Sequence, residues 1–120
     1  HITLNEAIDF VENCLNTMKG GEIFVPKIPS FKVTDLIKAL SSKPKIKVIG
    51  IRPGEKLHEE MVTFSDSFHT VEKKDKYIIL PEIFGNKSQN IKRFSYNSLD
   101  NKYFLSVRDI KKILVNNKFL

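Results

Sequence analysis

The sequence predicts an α/β fold: a small, mostly parallel sheet with helices packed on it. Three observations predict it. A strongly capped helix opens the chain, a second closes it, and between them two short apolar runs flank a helical segment. Strand, helix, strand in that order, over Glu22–Val25, Asp35–Leu40 and Lys45–Ile51, points to a parallel pair joined by a crossover.

The first helix is expected over Leu4–Lys19. Thr3-Leu4-Asn5-Glu6 is a capping box, in which the threonine caps a backbone N–H and the glutamate reaches back to cap the threonine's own. Ala7, Phe10, Val11, Cys14, Leu15 and Met18 follow at helical spacing, and Gly20-Gly21 stops the helix. Glu22-Ile23-Phe24-Val25 reads as a strand that ends at Pro26, which has no N–H for a ladder. Thr34 caps the second helix, and Ser41-Ser42 before Pro44 closes it. Lys45–Ile51 is the next strand, with Lys43, Lys45 and Lys47 on one face and Ile46 and Val48 on the other.

After the Arg52-Pro53-Gly54 corner a third helix is expected over Glu55–Val62. Thr70–Lys76 is polar, Tyr77–Leu80 a strand, Pro81–Lys92 an irregular loop rich in Gly, Asn and Ser, and Phe94–Ser98 extended. Ser106-Val107-Arg108-Asp109 is a second capping box, with aspartate in the glutamate's place, opening a final helix over Val107–Val115. No repeat and no second domain is evident, so residues 1–120 read as one domain.

Composition narrows the class. With 41% hydrophobic and 28% charged residues the chain is an ordinary globular one. No apolar run approaches the ~18 residues of a membrane span, so the reading is a cytoplasmic protein. The single Cys14 excludes an internal disulfide and suits a reducing compartment. The net charge of +6 permits anionic ligands. The lysines are scattered and not interleaved with aromatics, so no nucleic-acid partner is read from them. The chain opens directly on a helix cap without an initiator methionine, which reads as a piece of something longer.

The chemistry concentrates at Gly50-Ile51-Arg52-Pro53-Gly54-Glu55. An arginine at the end of an apolar run, just before a tight corner, offers its planar fork to an anion such as a phosphate. Glu55, across the corner, is a carboxylate that accepts hydrogen bonds from sugar hydroxyls. Together they suggest a nucleotide or a nucleotide sugar. The other reading of the same residues is an ordinary corner with a surface ion pair.

Several signatures are missing. There is no Gly-x-Gly-x-x-Gly for a dinucleotide. Gly50 to Lys56 has one residue too few between its glycines for a P-loop, and Leu57 stands where Ser or Thr belongs. No tyrosine precedes a lysine by four: Tyr77 leads to Pro81, Tyr96 to Asp100 and Tyr103 to Val107. His58-Glu59-Glu60 lacks the second histidine of a zinc helix, and His1 and His69 have no ligand-spaced partners, so no metal is expected. No residue is singled out as catalytic.

The longer blocks resemble the C-terminal part of a family of bacterial nucleotide-sugar enzymes. These are the UDP-N-acetylglucosamine 4,6-dehydratases and related UDP-sugar 4-epimerases of polysaccharide (capsule) biosynthesis, in the extended short-chain dehydrogenase/reductase superfamily. The resemblance rests on Gly21–Ser30, Val33-Thr34-Asp35-Leu36, Gly50–Met61, Tyr96-Asn97-Ser98, Asn101 and Leu105-Ser106, with Thr3–Ala7 similar to the preceding helix. The least family-like part is Phe84 to Arg93. The resemblance implies an N-terminal Rossmann domain, absent here, that holds NAD or NADP and the Tyr-x-x-x-Lys machinery. It implies that this part binds the UDP-sugar: Arg52 at the diphosphate, Glu55 at the ribose, and Val25, Pro26 and Lys27 near the uracil, through the backbone. The expected partners are the UDP-sugar, the Rossmann domain of the parent enzyme and further copies in a homo-oligomer, with Ile2, Phe10 and the Phe24 region as candidate contacts. The chain alone is expected to be inactive. The alternative is a non-catalytic relic or interaction module that keeps the fold.

Overall fold

In the computed structural model, which describes residues 1–84 and 92–119, the first helix, α1, spans Leu4–Thr17. Both arms of its capping box form, with Thr3 N–H donating to Glu6 Oε2 at 2.8 Å and Glu6 N–H to Thr3 Oγ1 at 3.3 Å. The Thr3 hydroxyl, donating to the same Glu6 Oε2 at 2.6 Å, and then the Thr3 N–H hold the Glu6 carboxyl below its ordinary pKa. Gly20 and Gly21 follow at φ 116° and 82°, a region closed to most side chains. The remaining elements are β1 (Ile23–Pro26), α2 (Val33–Leu40), β2 (Glu60–Val62), β3 (Thr70–Glu72), β4 (Lys76–Ile79), β5 (Tyr96–Asn97) and α3 (Val107–Asn116). Single 3-10 turns lie at Asp66–His69 and Glu82–Phe84.

The chain groups into two compact units. One holds His1, Pro29–Leu57 and the segment from Asn101 onward. There α2 packs on α3 around buried Ala39, Leu105 and Ile110, with Leu36, Val107, Ile113 and Leu114 against them. Ser106 and Asp109 form the second capping box as expected. Ser30 ties this unit by a parallel bridge to Phe104, donating its N–H to Tyr103 O and accepting from Leu105 N.

The other unit holds Ile2–Ile28 and His58–Asp100. Its main sheet has strand order β1-β4-β3 and is antiparallel throughout. Phe24, Ile78 and Val71 share one cross-strand row; Val25, Tyr77 and Glu72 share the next, on the opposite face. A second antiparallel pair, β2 with β5, has an irregular register between Glu60 and Val62. Tyr77 stacks on Phe94 and Tyr96 at centroid distances of 5.0 and 5.1 Å. Burial raises the Tyr77 pKa.

The mostly parallel sheet is therefore corrected to antiparallel sheets. The neighbour of β1 is β4, some fifty residues on, and not the apolar run after α2. That run, Lys45–Ile51, is not a strand: Val48 is 89% exposed, and no described strand pairs with it. A strand without a neighbour leaves its N–H and C=O groups without a ladder and gains nothing over coil. The helix expected over Glu55–Val62 is also absent. Its last residues pair as β2, where Glu59 N–H donates to Ser98 Oγ and Ser98 N–H to Glu59 O.

Smaller differences follow the same logic. The cap of α2 is Lys32, without a side-chain bond, and Thr34 lies inside the helix. The polar Thr70–Lys76 stretch contains β3 and a tight return into β4. On α1, Cys14 is buried and Ala7 and Phe10 half-buried, whereas Val11, Leu15 and the C-cap Met18 face outward. Burial raises the Cys14 thiol's pKa. Phe94–Ser98 is extended only at β5, and most of the Pro81–Lys92 loop lies outside the described residues.

Candidate functional site

Arg52 opens a type II turn. Pro53 is second, Gly54 third at φ 81°, and the Glu55 N–H closes the turn on the Arg52 carbonyl at 3.0 Å. Gly54 suits the third place because it enters that region without the penalty a Cβ brings. Glu55 closes the turn a second time: its Oε2 accepts from the Arg52 N–H at 2.8 Å. The Arg52 side chain is exposed and makes no hydrogen bond or ion pair among the described residues. The corner therefore presents an uncommitted guanidinium, whose five N–H donors suit the oxygens of a phosphate. One Glu55 oxygen is committed to holding that corner in shape.

Val25, Pro26 and Lys27 lie in the other unit. Val25 is buried and in register with Tyr77, and Pro26 is in register with Lys76. Because β1 is an edge strand, one side of its backbone has no ladder partner within that sheet. The Lys27 ammonium is engaged. It donates to Glu72 Oε1 at 2.6 Å and to Lys73 O at 2.7 Å, and lies 4.7 Å from the Tyr77 ring centroid. The Lys27 backbone N–H donates to Asp75 O. The structure thus brings Arg52 and Glu55 together on one turn, and Val25, Pro26 and Lys27 together on one strand end.

Neither glycine pair has the strand–turn–helix order of a pyrophosphate-binding turn. Gly20-Gly21 leads from a helix into a strand, and the turn at Gly50 and Gly54 leads into no helix. Among the described residues no three His, Cys, Asp or Glu side chains group to hold a metal ion. No described helix is long and apolar enough to cross a membrane.

One feature escaped the sequence reading. A groove of about 720 Å³ opens on the β1-β4-β3 face carrying Phe24, Val71, Ile78 and Leu80, beside the buried Lys76. Its only signal in the sequence is the alternation of Lys76, Ile78 and Leu80, which places a lysine on the apolar face of a strand.

This antiparallel α/β fold has a counterpart among known structures. The chain superposes on Pen from Bacillus thuringiensis with a TM-score of 0.79 at 30% identity, over 99% of this chain and 38% of that one. The family of polysaccharide biosynthesis proteins matches residues 1–81, and the chain belongs to that family. The assignment to the extended short-chain dehydrogenase/reductase superfamily holds with it. The chain is 41% identical to the inverting UDP-N-acetylglucosamine 4,6-dehydratase of Campylobacter jejuni over 94% of its own length. It is 28% identical to the UDP-glucose 4-epimerase of Rickettsia bellii over 96%. It spans 38% and 37% of the lengths of these two relatives.

Proposed function

We propose that this chain is the UDP-sugar-binding portion of a nucleotide-sugar 4,6-dehydratase or 4-epimerase serving surface polysaccharide synthesis. The observation that carries the reading is the uncommitted Arg52 guanidinium on a rigid type II turn, in a chain 41% identical to a UDP-N-acetylglucosamine dehydratase. Arg52 takes the diphosphate as a fork; Glu55 fixes the turn and turns its remaining oxygen to the ribose. The edge-strand backbone at Val25, Pro26 and Lys27 meets the uracil. The Lys27 ammonium, already shared between Glu72 and Lys73, holds that strand end in place.

Such enzymes move a hydride to and from a nicotinamide, and that chemistry belongs to the cofactor. In this reading NAD or NADP is held by a Rossmann half outside this chain, and the chain alone is inactive. The exposed side chains Leu4, Ile8, Val11 and Leu15 of α1, with Met18 at its C-cap, support such a partner, because apolar patches of this kind mark contact surfaces. The test is titration of UDP and UDP-N-acetylglucosamine against the chain joined to the Rossmann half of the Campylobacter dehydratase, with wild-type Arg52 and with Arg52→Ala. Tight binding by wild type and loss in the variant supports the reading. Equal binding refutes it.

A further inference from the structure

The groove beside Lys76 has a polarity unlike ordinary core. Its floor is the row Phe24, Ile78 and Val71, extended by Leu80 just past the end of β4. All four are half-buried. At the end nearest α1 sits Lys76, only 8% exposed. A buried ammonium is costly unless paired and hydrogen-bonded. Lys76 Nζ donates to the neutral amide oxygen of Asn13 at 2.7 Å and lies 5.8 and 5.7 Å from the Phe10 and Phe24 ring centroids. No carboxylate pairs with it among the described residues. The acids of the groove lie elsewhere: Glu22 is turned to the Lys19 and Gly20 N–H groups, and Asp75 is exposed on the β3–β4 turn. Lys19, Lys73 and Lys74 complete the rim, so cations outnumber acids around the opening.

We propose that this groove is a second ligand site, distinct from the Arg52 turn, for a molecule carrying one phosphate or carboxylate head on an apolar body. The head supplies Lys76 with the counter-charge that no described residue gives it, and the lysine rim draws the anion in. The apolar body covers the Phe24, Val71, Ile78 and Leu80 row. The volume is that of a small-molecule site, which runs about 300–1,000 Å³. The proposal is independent of the UDP-sugar reading, because no residue of the groove belongs to that assignment.

The test is calorimetric titration of the chain with decyl phosphate below its micelle concentration. Decanol supplies the body without the charge, and inorganic phosphate the charge without the body. Saturable 1:1 binding of decyl phosphate, at least tenfold tighter than either control, is expected. Lys76→Met should weaken it at least tenfold, and Lys111→Met, on α3, should leave it unchanged. If Lys76→Met fails to fold by circular dichroism, the double variant Lys73→Met/Lys74→Met takes its place, with a loss of at least threefold expected. Addition of UDP should not displace the ligand. Equal affinity for decanol, no loss in either lysine variant, or displacement by UDP overturns the proposal. So does binding only to phosphatidylglycerol vesicles, which makes the face a membrane contact, or loss of binding when the Rossmann half is joined, which makes it a domain contact.

Discussion

Arg52→Ala should raise the dissociation constant for a UDP-sugar by about 10- to 150-fold. The magnitude comes from the charge-assisted hydrogen bonds a guanidinium gives a diphosphate, about 1.5–3 kcal/mol, with tenfold in affinity for each ~1.4 kcal/mol. The structure makes the perturbation clean. The Arg52 side chain is exposed and bonds nothing among the described residues, so its removal should change stability by no more than ~0.5 kcal/mol. The turn itself is made by main-chain atoms and Glu55, all of which remain. Arg52→Lys should recover only part of the loss, because an ammonium lacks the fork. Glu55→Gln should weaken binding less than Arg52→Ala, since its amide oxygen still accepts from the Arg52 N–H and the ribose hydroxyls are neutral. Calorimetric titration of UDP, UDP-N-acetylglucosamine and NAD(P) against the chain joined to a Rossmann half reads all three, and NAD(P) affinity should not move. Unchanged UDP affinity in Arg52→Ala would refute the reasoning and leave the arginine as a plain surface residue.

Three further outcomes are expected. Gly54→Ala should cost about 1–2 kcal/mol in urea denaturation, because a Cβ at φ 81° is strained while nothing lies within 4 Å to clash with it; a neutral result would mean the turn relaxes freely. Thr3→Ala should cost about 0.5–2 kcal/mol through the lost cap. The capping box holds the Glu6 carboxyl below its ordinary value, so its contribution is present above the unfolded pKa and fades as pH falls through the lowered folded one. Thr3→Ala should therefore flatten the acid limb of a pH–stability curve, and an unchanged limb would contradict the assignment. Cys14, buried and with its thiol pKa pushed up by that burial, should react with iodoacetamide at pH 8 much more slowly in native buffer than in urea; equal rates would show that α1 does not stay docked.

The first and last helices were legible because their signals are local. Thr3 meets Glu6, and Ser106 meets Asp109, across a single turn, so the residues that start each helix are also the ones that bond. The Arg52–Glu55 corner was legible for the same reason: Pro then Gly selects a type II turn wherever the segment sits. The family resemblance rode on those blocks and on Gly21–Ser30, and the match over residues 1–81 sustains it.

Partnership was not legible. Ile46, Val48, Ile49 and Ile51 have the composition of a strand, yet a strand is completed only by a neighbour, and among the described residues they have none. The segment ending in Glu60, Met61 and Val62 had no visible reason to leave a helix until Ser98 and Tyr96 came alongside. Tertiary structure alone chose β4 as the neighbour of β1 and made the sheet antiparallel. It set Lys76 into an apolar face against Phe10 and Phe24, and turned Leu4, Ile8, Val11 and Leu15 of α1, with Met18 at its C-cap, outward. The sequence by itself determined the two capping boxes, the Pro-Gly turn and the family, because those depend on residues a few positions apart. Pairing, sheet direction and burial waited on the fold, because a ladder hydrogen bond or a buried face depends on a second segment whose distance along the chain no local pattern records.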